Sequence, residues 1–115
     1  MKIGQIYESV TIRTPVDERN FYDYFNETLS EIEMMFDTKY TFKDGCVGSV
    51  VSSMEDEFPL MDKYYTAVLF NLLYLCGYGD PNSIKSEFIR LANAAHDSEK
   101  DKYAMGGKFV KRWGW

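Results

Sequence analysis

The sequence has little of the chemistry that enzymes commonly need. Its 115 residues include one histidine, two cysteines and three prolines. His96 lacks further ligands at helical spacing, so we interpret it as a solvated helix residue and not as a metal ligand or a general base. Cys46 and Cys76 form no CxxC pair and have no histidine close in sequence, which favours two reduced thiols. We therefore expect no enzymatic activity, no metal and no cofactor.

Long hydrophobic runs are also absent. The longest, AVLFNLLYLC (67–76), is interrupted by Asn71 and is shorter than the roughly 20 residues that a membrane-spanning helix needs. The first ten residues contain no apolar stretch typical of a secretion signal. A hydrophobic fraction of 45% excludes a disordered composition, and the length suffices for one hydrophobic core. We expect a single folded domain that is made in the cytoplasm and does not bind membranes.

Basic residues are scarce except at the C-terminal end. The whole chain has a formal net charge of −5, yet its last eight residues, KFVKRWGW (108–115), contain three bases and no acid. Of the 13 bases, 10 therefore remain in residues 1–107 against all 18 acids, which is a net charge of −8. A body of this charge repels the phosphate backbone of nucleic acids, so sequence-specific reading of DNA or RNA is not expected.

The spacing of apolar residues predicts a first helix over about 15–37. Thr14 is a suitable N-cap, and Pro15 suits the first helical turn. The apolar positions then recur at steps of three and four residues, at Phe21, Phe25, Leu29, Ile32 and Phe36. This pattern is typical of an amphipathic helix with one buried stripe and an acidic outer face.

Two more helices are predicted as an antiparallel hairpin. The first spans about 59–76 and is apolar on nearly every side, which favours burial in the core and against neighbouring subunits. Gly77 ends it, and Asp80 and Pro81 begin a helix over about 81–105 that Gly106 and Gly107 are expected to stop. The connection is short, so the two helices pack side by side.

The long connection 38–57 is predicted to form a small β-hairpin. Its segments KYTF and VGSVV are rich in β-branched and aromatic residues, and Asp44-Gly45 is a typical hairpin turn. The N-terminal IYESVTI (6–12) reads as a further short strand. The predicted fold is therefore mainly α: a three-helix domain over residues 1–107 with a hairpin in its long loop, extended N- and C-terminal arms, and a basic-aromatic tail over 108–115.

Three segments together resemble a known family. They are FYDYFNETLSEI (21–32), PLMDKYYTAV (59–68) and GDPNSIKSEF (79–88), the last of which opens an alanine-rich helix. In order and spacing they are similar to the head–tail connector (adaptor) proteins of tailed bacteriophages, over roughly residues 15–105. The resemblance implies a structural protein of the virion neck, assembled in the host cytoplasm. It also implies that about twelve copies form a ring beneath the portal protein. This ring bridges the portal to the next neck or tail component.

Such a ring would enclose a passage for DNA, which moves through without sequence-specific binding. Acidic walls would keep the duplex from adhering, and the candidates for that lining are Glu27, Glu31, Glu55, Asp56 and Glu57. The alternative for these residues is a merely solvated acidic surface. A second expected contact, with a ring neighbour or the adjacent neck layer, is the predicted turn formed by Phe42, Lys43, Asp44 and Gly45.

The tail has the composition of a docking peptide. Tryptophan and arginine are the residue types most enriched among interface anchors. We expect Phe109, Trp113 and Trp115 to be apolar anchors, and Lys111 and Arg112 to pair with carboxylates of a neighbour or of the portal. The alternative is that Trp113 folds back onto its own domain.

Two other functions fit the same residues. One is a small cytoplasmic helical regulatory or protein-binding module that docks a partner through the tail. The other is a peripheral membrane protein that uses the tryptophans and bases at an anionic lipid surface, although eight residues give weak anchoring.

Overall fold

The computed structural model describes the backbone of residues 1–108 and the side chains of residues 1–102. Four helices account for most of it: α1 (Ile3–Thr11), α2 (Glu18–Met35), α3 (Tyr65–Leu75) and α4 (Pro81–Lys108). Short 3-10 turns occupy Thr38–Tyr40 and Asp62–Tyr64. The mainly α fold class is thus confirmed, with four helices in place of three. The predicted anchors of the tail, Phe109, Lys111, Arg112, Trp113 and Trp115, lie outside the described residues.

Helix α2 buries the predicted stripe. Phe21, Phe25, Leu29 and Ile32 are at most 4% exposed. The helix begins later than predicted, because Asp17 and not Thr14 is its N-cap: the Asp17 carboxylate accepts a hydrogen bond from the Asn20 amide at 2.8 Å. A carboxylate in this position also interacts favourably with the positive end of the helix dipole.

Helices α3 and α4 form the predicted antiparallel hairpin. Helix α3 begins at Tyr65 and not near 59, because the chain at Leu60 is extended and pairs with Phe42 in an antiparallel bridge. Gly77, with a φ of 79°, turns the chain, and the Asp80 carboxylate caps α4 through the Ser83 amide at 2.9 Å. Among residues 1–108, no helix has both the length and the apolar character needed to cross a bilayer.

Helix α4 continues beyond its predicted end at about 105. Gly106 and Gly107 lie inside it, and the helix runs to Lys108. Glycine lowers helix propensity by about 1 kcal/mol, but it ends a helix only where the backbone turns to positive φ. The predicted boundary between domain and tail therefore lies within a continuous helix.

The predicted N-terminal strand is instead helix α1. Ile3, Ile6 and Val10 follow one another at steps of three and four, and all are fully buried. The first amides of this helix donate to carbonyls of the long loop: Ile3 to Asp56 and Gly4 to Met54, each at 2.9 Å. The loop thus satisfies groups that a short isolated helix leaves unpaired. The β-branched residues of this segment favoured a strand, and tertiary contacts overrode that preference.

The predicted hairpin is not formed by residues 38–57 as the structure describes them. The chain makes two successive turns, closed by hydrogen bonds from Cys46 to Lys43 and from Ser49 to Cys46, each at 3.0 Å. Gly45 and Gly48 supply the positive φ in these turns, while Asp44 keeps a negative φ. The two flanks of these turns pair with other segments and not with each other: Phe42 forms an antiparallel bridge with Leu60, and the Val51 backbone bonds to the Asn26 side chain.

A polar network around the buried Asn71 connects α2, α3 and α4. Asn71, fully buried in the otherwise apolar α3, donates from Nδ2 to Thr28 Oγ1 and to Glu31 Oε2, both at 2.9 Å. Lys85 Nζ donates to Glu31 Oε1 at 2.6 Å and to Asn71 Oδ1 at 2.9 Å. The Lys85 ammonium also lies over the rings of Tyr74 and Phe88, 4.8 and 4.9 Å from their centroids. Each polar group has a partner, so the network fixes how the three helices align.

The network gives a prediction about Asn71. The substitution Asn71→Ala should lower the free energy of unfolding by about 2–3 kcal/mol, because it leaves Thr28, Glu31 and Lys85 without their shared partner. The matched control Asn93→Ala removes an exposed asparagine of α4 and should change the free energy by less than about 0.5 kcal/mol. Urea denaturation of both variants measures the difference, and equal values would contradict the structural role of the network.

Helix α1 gives a second prediction. Ile6→Ala removes a fully buried side chain and should cost about 2–5 kcal/mol of stability, whereas Ile12→Ala removes one that is 81% exposed and should be nearly neutral. Thermal and urea unfolding of the two variants measure the effect of the same isoleucine-to-alanine substitution at a buried and at an exposed position. Similar small effects would mean that residues 3–11 form a loose arm.

Candidate protein-interaction surface

The connection between α2 and α3 carries an apolar surface feature. Residues 43–51, here called the tip loop, expose Val47 by 51% and Val50 by 71%. Single exposed apolar side chains are common on protein surfaces. These two differ because they lie three residues apart, Val47 within the second glycine turn and Val50 directly after it, and because each lines a cleft. Such a feature is typical of a contact surface.

The tip loop is fixed at both ends. At its start, the Lys43 amide donates to the Pro59 carbonyl at 2.8 Å. At its end, the side chain of Asn26 in α2 pairs with both backbone groups of Val51: Nδ2 donates to the carbonyl at 2.9 Å, and Oδ1 accepts from the amide at 2.8 Å. One amide side chain thus takes the place of a neighbouring strand. Val51 itself is buried in the core. The end of the segment that carries the exposed Val47 and Val50 is therefore held in place.

One cleft of about 330 Å³ lies on the side of the tip loop that faces Met61. All four predicted contact residues line it, namely Phe42, Lys43, Asp44 and Gly45. The Phe42 ring is only 4% exposed and belongs to the core, so it forms the floor of the cleft and not a projecting contact. Lys43 pairs with Asp62 at 3.3 Å. We call this the lysine cleft, because Lys39 also lines it.

Two further clefts share Ser49 and Val50 as lining residues. The smaller, about 110 Å³, runs between the loop and Leu29, Ser30 and Glu33 of α2. The larger, about 330 Å³, is lined by Pro59, Asp56 and Glu57 together with Val50 and Val51. Both combine aliphatic walls with acidic groups. We call them the acidic clefts.

The acids predicted to line a channel have different surroundings. Glu27 and Glu55 are exposed. Glu31 belongs to the network with Asn71 and Lys85. Asp56 Oδ2 accepts from the Ser52 and Ser53 amides at 3.0 and 3.1 Å and so holds a turn. Three of the five carboxylates therefore have internal partners, Glu57 being the third.

Glu57 connects the loop to the start of the chain. Its Oε2 accepts from the Met1 ammonium at 3.2 Å, and its Oε1 lies 3.6 Å from Lys2 Nζ. The hydrogen bond and charge of that ammonium, with a smaller contribution from Lys2, hold the pKa of the Glu57 carboxyl below its usual range. Glu57 consequently stays ionised down to more acidic pH than a free glutamate.

The lone histidine is packed against aromatic rings and is not solvated as predicted. The His96 ring stacks on Phe36 at 4.4 Å between centroids and meets the edge of Tyr40 at 5.6 Å. The Tyr64 hydroxyl donates to the Tyr40 carbonyl at 2.9 Å, and burial together with nearby Glu99 raises the pKa of this phenol. This aromatic cluster joins the end of α2 to α4.

The described side chains offer few groups for chemistry. Among residues 1–102, no cluster of three or more histidine, cysteine or acidic side chains is arranged to hold a metal ion. Cys46 and Cys76 are both free thiols, and burial raises the pKa of Cys76. The chain matches no protein-family profile, no curated protein sequence and no solved structure at a significant level.

Part of this surface is predicted by the sequence. A contact is expected at residues 42–45, whereas the valine-rich VGSVV is predicted to be a strand. The exposure of Val47 and Val50 follows from two successive glycine turns and from Asn26, a residue 25 positions away in sequence from Val51. A pairing over that distance has no local sequence signal.

The clamp on Val51 gives a third prediction. Asn26→Ala removes both hydrogen bonds and leaves a buried amide unpaired, which should cost about 1–3 kcal/mol and speed hydrogen exchange at Val51 at least about tenfold. The control Asn20→Ala changes an exposed asparagine of the same helix and should leave this exchange rate unchanged. Exchange measured by NMR would contradict the clamp if the two variants behaved alike.

Proposed function

We propose that this chain is a structural protein that works through protein contacts, specifically a head–tail connector of a tailed bacteriophage. It assembles as a ring, with about twelve copies, beneath the portal protein and bridges the portal to the next neck or tail component. Its place is the neck of the virion, and assembly occurs in the host cytoplasm. The observation that carries the proposal is the tip loop, which presents Val47 and Val50 on a rigidly held base beside three clefts.

A rigid apolar tip favours association for two reasons. Burying one valine side chain stabilises a complex by about 1.5–3 kcal/mol, so two valines supply a useful share of a contact. Because Asn26 and Pro59 already hold the loop, little conformational entropy is lost on binding. The exposed valines and the clefts beside them are also unlike surfaces. Contacts between unlike surfaces build rings when the rotation between copies closes.

The acidic surface supports a passage for DNA in the ring. Glu27 and Glu55 are exposed. Residues 1–107 carry a net charge of −8, which disfavours adhesion of a duplex. We propose that exposed acids of this kind face the passage, through which DNA moves without sequence-specific contacts. Glu31 is a poorer candidate than Glu27, because its carboxylate is already paired with Lys85.

The fourth prediction tests this function with the purified full chain and the portal protein encoded in the same genome. Mass photometry should detect a stable complex with many copies of the chain on each portal ring. The double variant Val47→Ser/Val50→Ser should weaken assembly at least about tenfold, since it removes the apolar contact. Its melting temperature should be unchanged, because both side chains are exposed.

The control Ile12→Ser/Ile89→Ser removes comparable exposed apolar surface elsewhere, at 81% and 44% exposure, and should assemble normally. The proposal fails if the chain does not bind the portal or if the valine variant assembles like the control. A one-to-one complex with a single cytoplasmic protein would instead support the regulatory module.

A further inference from the structure

We infer that the smaller acidic cleft, between α2 and the tip loop, receives the side chain of an arginine on the surface of a partner protein. The inference rests on the proposed function and adds to it the chemistry of one group on that partner. The cleft shares Val50 with the proposed contact surface, so one interface would bury both.

The size of the cleft favours a single side chain as its ligand. Its volume is about 110 Å³. Pockets that bind drug-sized molecules usually measure roughly 300–1,000 Å³. The cleft therefore has room for one narrow side chain and not for a segment of chain.

The lining of the cleft combines apolar residues with one charge. Leu29 and Phe42, each 4% exposed, and the exposed Val50 contribute apolar surface. Of the described residues that line the cleft, Glu33 alone is charged, and it has no ion-pair partner among residues 1–102. A matching ligand has an aliphatic stem and a cationic head, as lysine and arginine do. An uncharged ligand would bury the Glu33 carboxylate without a partner.

Hydroxyl groups in the same lining favour arginine over lysine. Ser30 precedes Glu33 by three residues, so the two are neighbours on one face of α2. Ser49 lines the cleft from the tip loop. A guanidinium has five N–H donors in a planar fork and can bond to a carboxylate and to hydroxyl oxygens together. The lysine ammonium is a more strongly hydrated point charge, which costs more to bring out of water.

Charged residues in the other two clefts already have partners. In the larger acidic cleft, the Asp56 carboxylate accepts hydrogen bonds from loop amides, and Glu57 pairs with the ammonium group at the start of the chain. In the lysine cleft, Lys43 pairs with Asp62. Glu33 differs from these groups because its charge is available to a partner.

The smaller cleft is held in shape before binding. Asn26 of α2 lines it and holds both backbone groups of Val51, the residue that follows Val50. These two hydrogen bonds fix the spacing between α2 and the end of the tip loop. An entering side chain loses its own rotamer freedom, but the walls lose little, so the entropic cost of binding is low.

Charge favours an arginine from a different protein over one from a second copy. Residues 1–107 carry a net charge of −8, so two copies of this body repel each other. The same charge attracts a basic surface and suits it as a partner. Within the proposed function, the protein that presents this surface is the portal.

The fifth prediction uses N-acetyl-arginine amide as a probe of the cleft in the full chain, at constant ionic strength. In NMR spectra, the backbone amide signals of Ser30, Glu33 and Ser49 should shift together and saturate, with a Kd in the millimolar range. N-acetyl-norleucine amide has a similar stem without the charge and should bind at least about threefold more weakly.

A pair of variants isolates the contribution of the carboxylate. Glu33→Gln keeps the shape of the side chain and removes its charge, so it should weaken binding of the probe about threefold to fivefold. The matched control Asp23→Asn makes the same change of charge at another exposed site of α2 and should alter the Kd by less than about twofold. The melting temperatures of both variants should stay close to that of the wild type.

Four results of the probe experiment would overturn the inference. The first is the absence of saturable shifts at these residues in the wild type. The second is a Glu33→Gln protein that binds the probe like the wild type, and the third is equal binding of the norleucine compound. The fourth is binding that occurs only in Lys108→Gln/Lys111→Gln/Arg112→Gln, because the cleft would then be occupied by bases of its own chain.

Binding to the portal tests the source of the arginine separately. Glu33→Arg should weaken assembly on the portal at least about tenfold relative to Asp23→Arg, because it places a base where the partner's arginine enters. Equal assembly of the two variants would refute the arginine contact and leave the proposed function standing. A wild type that binds the probe but not the portal would refute the proposed function and the portal as the source.

Discussion

The arrangement of the helices depends on one buried amide. Asn71 lies fully buried in a helix that is otherwise apolar, and a buried amide without partners would cost several kilocalories per mole. Its donors reach Thr28 and Glu31 of α2, and its carbonyl oxygen accepts from Lys85 of α4. Apolar packing alone tolerates sliding of one helix along another. Because these hydrogen bonds form in one alignment only, they select it from many that bury similar apolar area.

The interaction surface depends on this alignment through α2. Asn26 precedes Thr28 by two residues and so lies on the opposite flank of the same helix. One flank of α2 is fixed to α3 and α4, and the other holds the tip loop through Val51. The loop also supplies the carbonyls that start α1. The long connection is therefore a structural element in its own right: it caps one helix, pairs with another and displays two valines.

Charged and apolar groups are distributed unevenly over the chain, so its two ends differ in chemistry. An acidic body with an apolar tip is joined, through the length of α4, to a short basic-aromatic segment. Unlike surfaces at separate places are suited to contacts that repeat from copy to copy. This polarity agrees with a ring-forming neck protein better than with a monomeric module, which needs only one binding surface.

The sequence by itself determined the helices whose signals are local. The stripe from Phe21 to Ile32, the turn at Gly77 and the cap at Asp80 each depend on residues within one or two turns of chain. Tertiary structure decided the rest. Residues 3–11 are helical because Met54 and Asp56 pair with their first amides, and the tip loop stands where Asn26 holds it. Hydrogen bonds between residues 25 to 53 positions apart leave no periodic pattern in the sequence, so only the folded chain reveals them.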